Sequence, residues 1–172
     1  PPLQSDVCKP TDDLKEFIQK KDMDYINVEF PEKFKNIHDI LKTEFRSKLE
    51  NLKSFGLTKP IPIINKTDLI MMQRRLQIEI QKKNASAFYG ISLVSLLLKL
   101  SYAMELLETQ SLNSLKEFFN QLQTDTSKAA KSIVSNKNIK TAIDLTNKLV
   151  EQNIKHPKLI KLTENLKQEL TN

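Results

Sequence analysis

The strongest pattern in the chain is a stretch that is apolar on nearly every side. From Ala85 to Gln110 the sequence reads ASAFYGISLVSLLLKLSYAMELLETQ. At about 100° per residue Ser92, Ser95, Lys99 and Tyr102 share one narrow side of a helix, while Ile91, Val94, Leu97, Leu98, Leu100, Met104 and Leu107 fill most of the rest. Such a helix has to be surrounded by others. Its longest uncharged run, Ala85 to Leu98, is shorter than the roughly 20 apolar residues that cross a bilayer, so no membrane span is expected. Lys99, on the polar stripe, is expected to reach solvent along its alkyl stem.

Spacing on either side of this centre predicts further elements. Pro1 to Pro10 has no periodicity and reads as a linker. Thr11 as N-cap, Asp12 and Asp13 in the first turn, and Leu14, Phe17 and Ile18 on one face predict a short helix. Tyr25, Ile26, Val28 and Phe30 predict a short extended strand near 25–30, stopped by Pro31. It either pairs with strands outside this sequence or runs as a strap over the helices. A long amphipathic helix follows from Pro31 to Phe55 and ends at Gly56, with Ile37, Ile40, Leu41, Phe45, Leu49 and Leu52 inward. Leu57 to Asn65 holds Pro60 and Pro62 and must be a loop. Thr67 or Asp68 caps the next helix, whose inner side is Leu69, Met72, Leu76 and Ile80.

Beyond the central helix, Ser111 is placed to cap a helix with Leu112, Leu115, Phe119 and Leu122 inward, and Ser127 to cap the short segment SKAAKSIV. Ile139, Ala142, Ile143, Thr146, Leu149 and Val150 form the face of another helix, and a last one starts near Pro157. The expected fold is all-α, a compact helical domain around the central helix at 85–110, with one extended segment. With only two glycines the composition suits helices joined by polar turns.

The 27 basic and 21 acidic residues give a net charge of +6 and a pI near 9.3, a surplus that fits nucleic acid, an anionic membrane surface or a solvated lysine-rich exterior. Lys35, Lys42, Arg46 and Lys53 fall within an arc of about 40° on the long helix. Asp39 and Glu50 lie close enough to pair with Lys42 and Arg46, so a salt-bridged solvent face accounts for the same stripe. On the next helix Arg75 and Lys82 stack, with Arg74 and Lys83 beside them. Met71 and Ile78 lie near this second strip, so part of it also suits packing against a neighbour.

Catalytic chemistry is missing. The sequence has no phosphate-binding glycine loop, no DExx-type acidic box, no nucleophile elbow and no Cys/His cluster. His38 and His156 stand on separate elements and read as surface or turn residues. Glu105 and Glu108 would need a second acidic pair to hold a metal, and solvating a helix end explains them better. The expectation is a non-enzyme without metal or cofactor of its own. Cys8 is the only cysteine, which excludes an intrachain disulfide and makes the cell interior the default. The start at Pro1-Pro2, without a basic and apolar leader, suggests a piece of a longer protein.

Two stretches, LLKLSYAMELLETQSLNSLKEFF and HPKLIKLTENLKQEL, together resemble the archaeal Hef helicases, relatives of the FANCM translocase, in the helical domain inserted between two RecA-like motor domains. TDDLKEFIQKKDMDYINVEFPEKFKNI resembles the passage leading out of the first motor domain, and SKAAKSIVSNKNIKTAIDL the segment leading back. Dicer and the RIG-I-like receptors carry a related insert, but ELLETQ points to the Hef branch. Ser111 departs from the pattern, which leads one to expect glycine there.

The resemblance implies residues 1–30 as the link from the first motor domain, 31–155 as a thumb-like insert, and 156–172 as a helix entering the second. It implies forked or branched DNA and the two motor domains as partners, no membrane, a nucleoid-associated place in the cell, and ATP and magnesium bound only in the parent's motor. On this reading Lys35, Lys42, Arg46, Lys53, Arg74, Arg75, Lys82 and Lys83 contact phosphates without reading sequence. The aromatics Phe34, Phe45, Phe55, Phe118 and Phe119 mostly fall at core spacing, so no base-stacking platform is expected. The alternative is an interaction or interdomain coupling module without DNA contact, which exposed Met71 and Ile78 would favour.

Overall fold

The computed structural model describes residues 25–171; the linker expected at Pro1–Pro10 and the helix expected from Thr11 lie outside them. Among the described residues the elements are α1 (Glu32–Leu52), α2 (Lys66–Gln81), α3 (Ser86–Thr109), α4 (Leu112–Thr124), α5 (Lys128–Ser135), α6 (Lys137–Glu151) and α7 (Pro157–Thr171), with single 3-10 turns at Lys53–Phe55 and Ile61–Ile63. The expected strand is a correction: residues 25–31 form no regular structure. Alternating β-prone side chains need a backbone partner to become a strand, and no described segment offers one. The segment is anchored instead by Phe30, whose ring meets Phe34 edge-on at 5.6 Å.

α3 is the axis, contacted by α1, α2, α4 and α5. By length and composition it is apolar enough to cross a membrane; its place is that of a core helix, with Leu93, Val94, Leu96, Leu97, Leu100, Leu106 and Leu107 buried among its neighbours. Two hydrophobic clusters divide its length. The first half of α3 packs with α2 and the end of α1 through Leu49, Leu52, Leu69, Met72 and Leu76. The second half packs with the start of α1 and with α4, α5 and α6 through residues such as Phe34, Ile37, Leu115, Phe119 and Ile139. Phe45 borders both clusters. α1 and α3 are thus the two beams that join the lobes. Truncating Leu97 or Leu100, both fully enclosed, removes contacts on several helices at once, and each Leu→Ala change is expected to cost about 3 kcal/mol.

Helix ends follow local chemistry. Ser111 Oγ accepts the Ser114 amide at 3.1 Å and Ser127 Oγ the Ala130 amide at 3.2 Å, each satisfying an orphan donor of a first turn. Ser111 has φ −93°, an ordinary conformation that needs no glycine. α2 begins earlier than Thr67 or Asp68: Asn65 is the cap, its side chain accepting the Asp68 amide at 2.9 Å, while Asp68 accepts the Asn65 amide at 3.0 Å. Asp68 is therefore the third-position half of a capping box, because only there can its carboxylate turn back to the cap. Lys99 does not end free in solvent; its ammonium is 2.7 Å from Asp125, tying α3 to the turn before α5.

Candidate nucleic-acid interface

All eight cations singled out in the sequence are exposed. Lys35, Lys42 and Arg46 project from α1, and Lys53 stands just past its end. At 1.5 Å per residue the row is about 27 Å long. Arg74 and Arg75 lie on α2, Lys82 is its C-cap, and Lys83 lies beyond it at φ 63°. The rows approach each other at one point. Arg75 Nη1 donates to the Gly56 carbonyl at 3.4 Å, and the Gly56 amide donates to the Lys53 carbonyl at 3.0 Å, so the end of the first row adjoins the middle of the second.

Some of these charges have local partners. Lys35 lies 3.7 Å from Glu32, Lys82 3.0 Å from Glu79, and Lys53 pairs with Glu50. The pairings expected for Lys42 and Arg46 do not form. Glu50 is taken by Lys53, with the acid N-terminal to the base, the better orientation on a helix. The short Asp39 carboxylate sits 3.7 Å from His38. The side chains of Lys42, Arg46, Arg74 and Lys83 have no ion-pair or hydrogen-bond partner among the described residues.

Lys42 and Arg46 border a cleft of about 430 Å³ between α1, the Ile61–Ile63 turn and α3, floored by Phe45, Leu49, Ile64 and Met104. Its acids are already engaged: Glu105 binds Lys66 at 3.2 Å and Glu108 binds His38 Nε2 at 2.9 Å. The cleft's uncompensated charge is positive. Among the described residues no group of His, Cys, Asp and Glu could hold a metal, and Glu105 and Glu108 serve in tertiary ion pairs with other elements.

Both histidines are structural. His38 is only 20% exposed and reaches across to Glu108, a contact between residues 70 positions apart that no local pattern announces. His156 is buried; Nε2 is 3.1 Å from the Leu107 carbonyl and Nδ1 accepts the Lys158 amide. Nδ1 as acceptor places the ring hydrogen on Nε2, so His156 is neutral. Burial chiefly, with the charge of Lys158, pulls its pKa below 6.5, and the bond to Leu107 opposes them.

The sequence also left the bare face of α7 unremarked. Leu159, Leu162, Leu166 and Leu170 recur at helical spacing and are at least half exposed, an apolar stripe that no other described element covers.

Comparison with known proteins completes the picture. The profile of the family described as "Putative ATP-dependent RNA helicase, helical bundle" matches residues 33–169. A curated protein of Methanocaldococcus jannaschii, named as a putative ATP-dependent RNA helicase, is 30% identical over 156 residues, which are 91% of this chain and 19% of the relative. The crystal structure of the Pyrococcus furiosus Hef helicase domain superposes with a TM-score of 0.79 at 29% identity, over 94% of this chain and 35% of that one. The chain thus spans about a fifth of the curated relative and about a third of the solved helicase domain.

Proposed function

This chain belongs to the helical-bundle family of putative ATP-dependent RNA helicases, and from that membership we propose that it is the nucleic-acid-holding insert of a larger helicase or translocase. The RecA-like motor domains, with their ATP and magnesium, lie elsewhere in the parent on this reading. The insert grips forked or branched DNA while the motor moves it, in the repair of stalled replication forks in the cell interior.

The observation that carries the reading is the pair of exposed cation rows. Four of their members lack an acidic partner among the described residues. An unpaired surface cation keeps its whole attraction for an incoming phosphate, whereas a paired one must first give up its carboxylate. A row of about 27 Å faces about eight steps of one strand at 3.4 Å each. Contacts of this kind position a duplex without reading bases or sugars, so they serve DNA and RNA alike. The curated relative is named for RNA; the branched-DNA preference rests on the likeness to Hef.

The bare stripe of α7 favours a second role alongside this one. An amphipathic helix with Leu159, Leu162 and Leu166 uncovered is built to lie against another apolar surface. On our reading that surface belongs to a motor domain, and α7 couples the insert to it.

The test is a titration of the chain against a labelled three-way DNA fork, blunt DNA duplex, single strand and the matching RNA duplex. The parent is compared with a variant in which Lys35, Lys42, Arg46 and Lys53 are all alanine. The fork is expected to bind most tightly, and the variant to lose tenfold or more, at about a few tenths to 1 kcal/mol per contact. Equal binding by the variant, or none by either protein, would leave coupling through α7 as the module's role.

A further inference from the structure

The point where the two cation rows meet carries aromatic rings that the core does not use. Phe88 and Tyr89, adjacent on the first turn of α3, are 61% and 60% exposed. Their neighbours Ala87 and Gly90 face the core and are buried, so the two rings point away from it. Tyr89 is nevertheless held in place. Its ring centroid lies 5.9 Å from that of Phe55 at a 47° tilt. Phe55 in turn fills the space left by the missing side chain of Gly90, where an added Cβ would stand 3.0 Å from both Phe55 and Leu76.

Cations flank the pair, of which Lys53 and Lys82 are ion-paired with Glu50 and Glu79. Lys53 precedes Phe55 by two residues, and Arg75 donates to the carbonyl of Gly56, the residue after it. Lys82 and Lys83 form the turn that leads into α3, within a few residues of Phe88. Apolar rings among solvated cations suit one class of occupant in particular, a flat aromatic body carried on a polyanion. Unpaired nucleobases have that chemistry: the ring stacks, and the phosphates on either side meet the cations.

We propose that Phe88 and Tyr89, the latter backed by Phe55, form a stacking step for unpaired bases at the edge of the duplex held by the cation rows. Arg75, Lys82 and Lys83 take the phosphates of the emerging strand. The inference rests on the nucleic-acid reading above and narrows its substrate to a junction with an unpaired arm, in preference to blunt duplex.

The chain contains no Trp, so Tyr89→Trp introduces a single fluorescent reporter at the step. Titration with oligothymidylate is expected to quench it, and titration with an abasic strand of the same length, which has the phosphates without the bases, is not. Phe88→Ala/Tyr89→Ala, whose folding is checked by circular dichroism, is expected to lose about tenfold in single-strand affinity per ring and to bind blunt duplex as before. Single-strand binding without quenching, or equal quenching by the abasic strand, overturns stacking and leaves the cation rows standing. Failure of every nucleic acid to bind the parent chain overturns the nucleic-acid reading and this one with it. Loss of self-association in the double variant, with nucleic-acid binding unchanged, assigns the rings to a second copy of the chain and overturns the proposal.

Discussion

His156 engages both ring nitrogens inside the protein and so ties the start of α7 to the end of α3. Its pKa is lowered in the folded state, so the unfolded chain binds the proton more readily. Its contribution to stability is therefore complete above about pH 6.5 and is lost as pH falls through the lower folded-state value. Thermal melts between pH 7.5 and 5 are expected to show that decline in the parent and a shallower one in His156→Ala, which at neutral pH costs about 1–3 kcal/mol for the Leu107 carbonyl left unpaired. Equal acid sensitivity in both proteins would remove His156 from this role. Asp125 titrates elsewhere. The Lys99 ammonium, the Ser127 amide and the Ser127 hydroxyl hold its pKa at about 2 instead of 3.8. Its contribution is present above 3.8 and disappears as pH falls towards 2, and Lys99→Met is expected to return the carboxyl towards its ordinary midpoint by NMR titration. Neither role was legible in sequence, because each depends on a partner brought in by the fold: Leu107 lies 49 residues from His156 and Lys99 lies 26 from Asp125.

At the scale of elements, local rules carried far. Ser111 and Ser127 cap the helices expected of them, because a cap acts on amides two or three residues away and its whole chemistry is written locally. The inner faces of α4 and α6 are equally local, since a 3.6-residue period fixes which side chains share a side. Asn65 and residues 25–30 show where such rules stop. In the first, Asn, Thr and Asp compete to cap within four residues and the incoming loop decides; in the second, an alternating pattern lacks a partner strand. Glu44 interrupts the inner side of α1 yet is buried, satisfied by Lys48 at 3.2 Å. Turns give a sharper prediction. Gly56 sits at φ 87°, where a Cβ is strained, so Gly56→Ala is expected to lower stability by about 1 kcal/mol. Lys83 occupies a similar region at φ 63°, and Lys83→Gly is expected to raise stability by about 1 kcal/mol while weakening nucleic-acid binding. Opposite movement of the melting temperature and the affinity in that variant is the signature of a residue retained for its charge.

For the molecule as a whole, the resemblance seen in two stretches of sequence extends through the bundle, and the chain's family and fold agree with it. The angular arithmetic applies to Lys35, Lys42 and Arg46, because α1 is a continuous helix through Leu52, while Lys53 begins the 3-10 turn that follows. That the two rows approach each other at Gly56, that aromatic rings stand there, and that α7 is bare could not be read in advance, because each is a property of how helices pack. The central claim is that these rows hold phosphates. The most direct measurement is the affinity of the chain for a forked duplex across a range of salt concentration. With about six phosphates neutralised, the logarithm of affinity is predicted to fall against the logarithm of salt with a slope of about −5, and Lys42→Ala/Arg46→Ala to make that slope shallower by about 2. A slope near zero, or one the double variant leaves unchanged, would contradict the account.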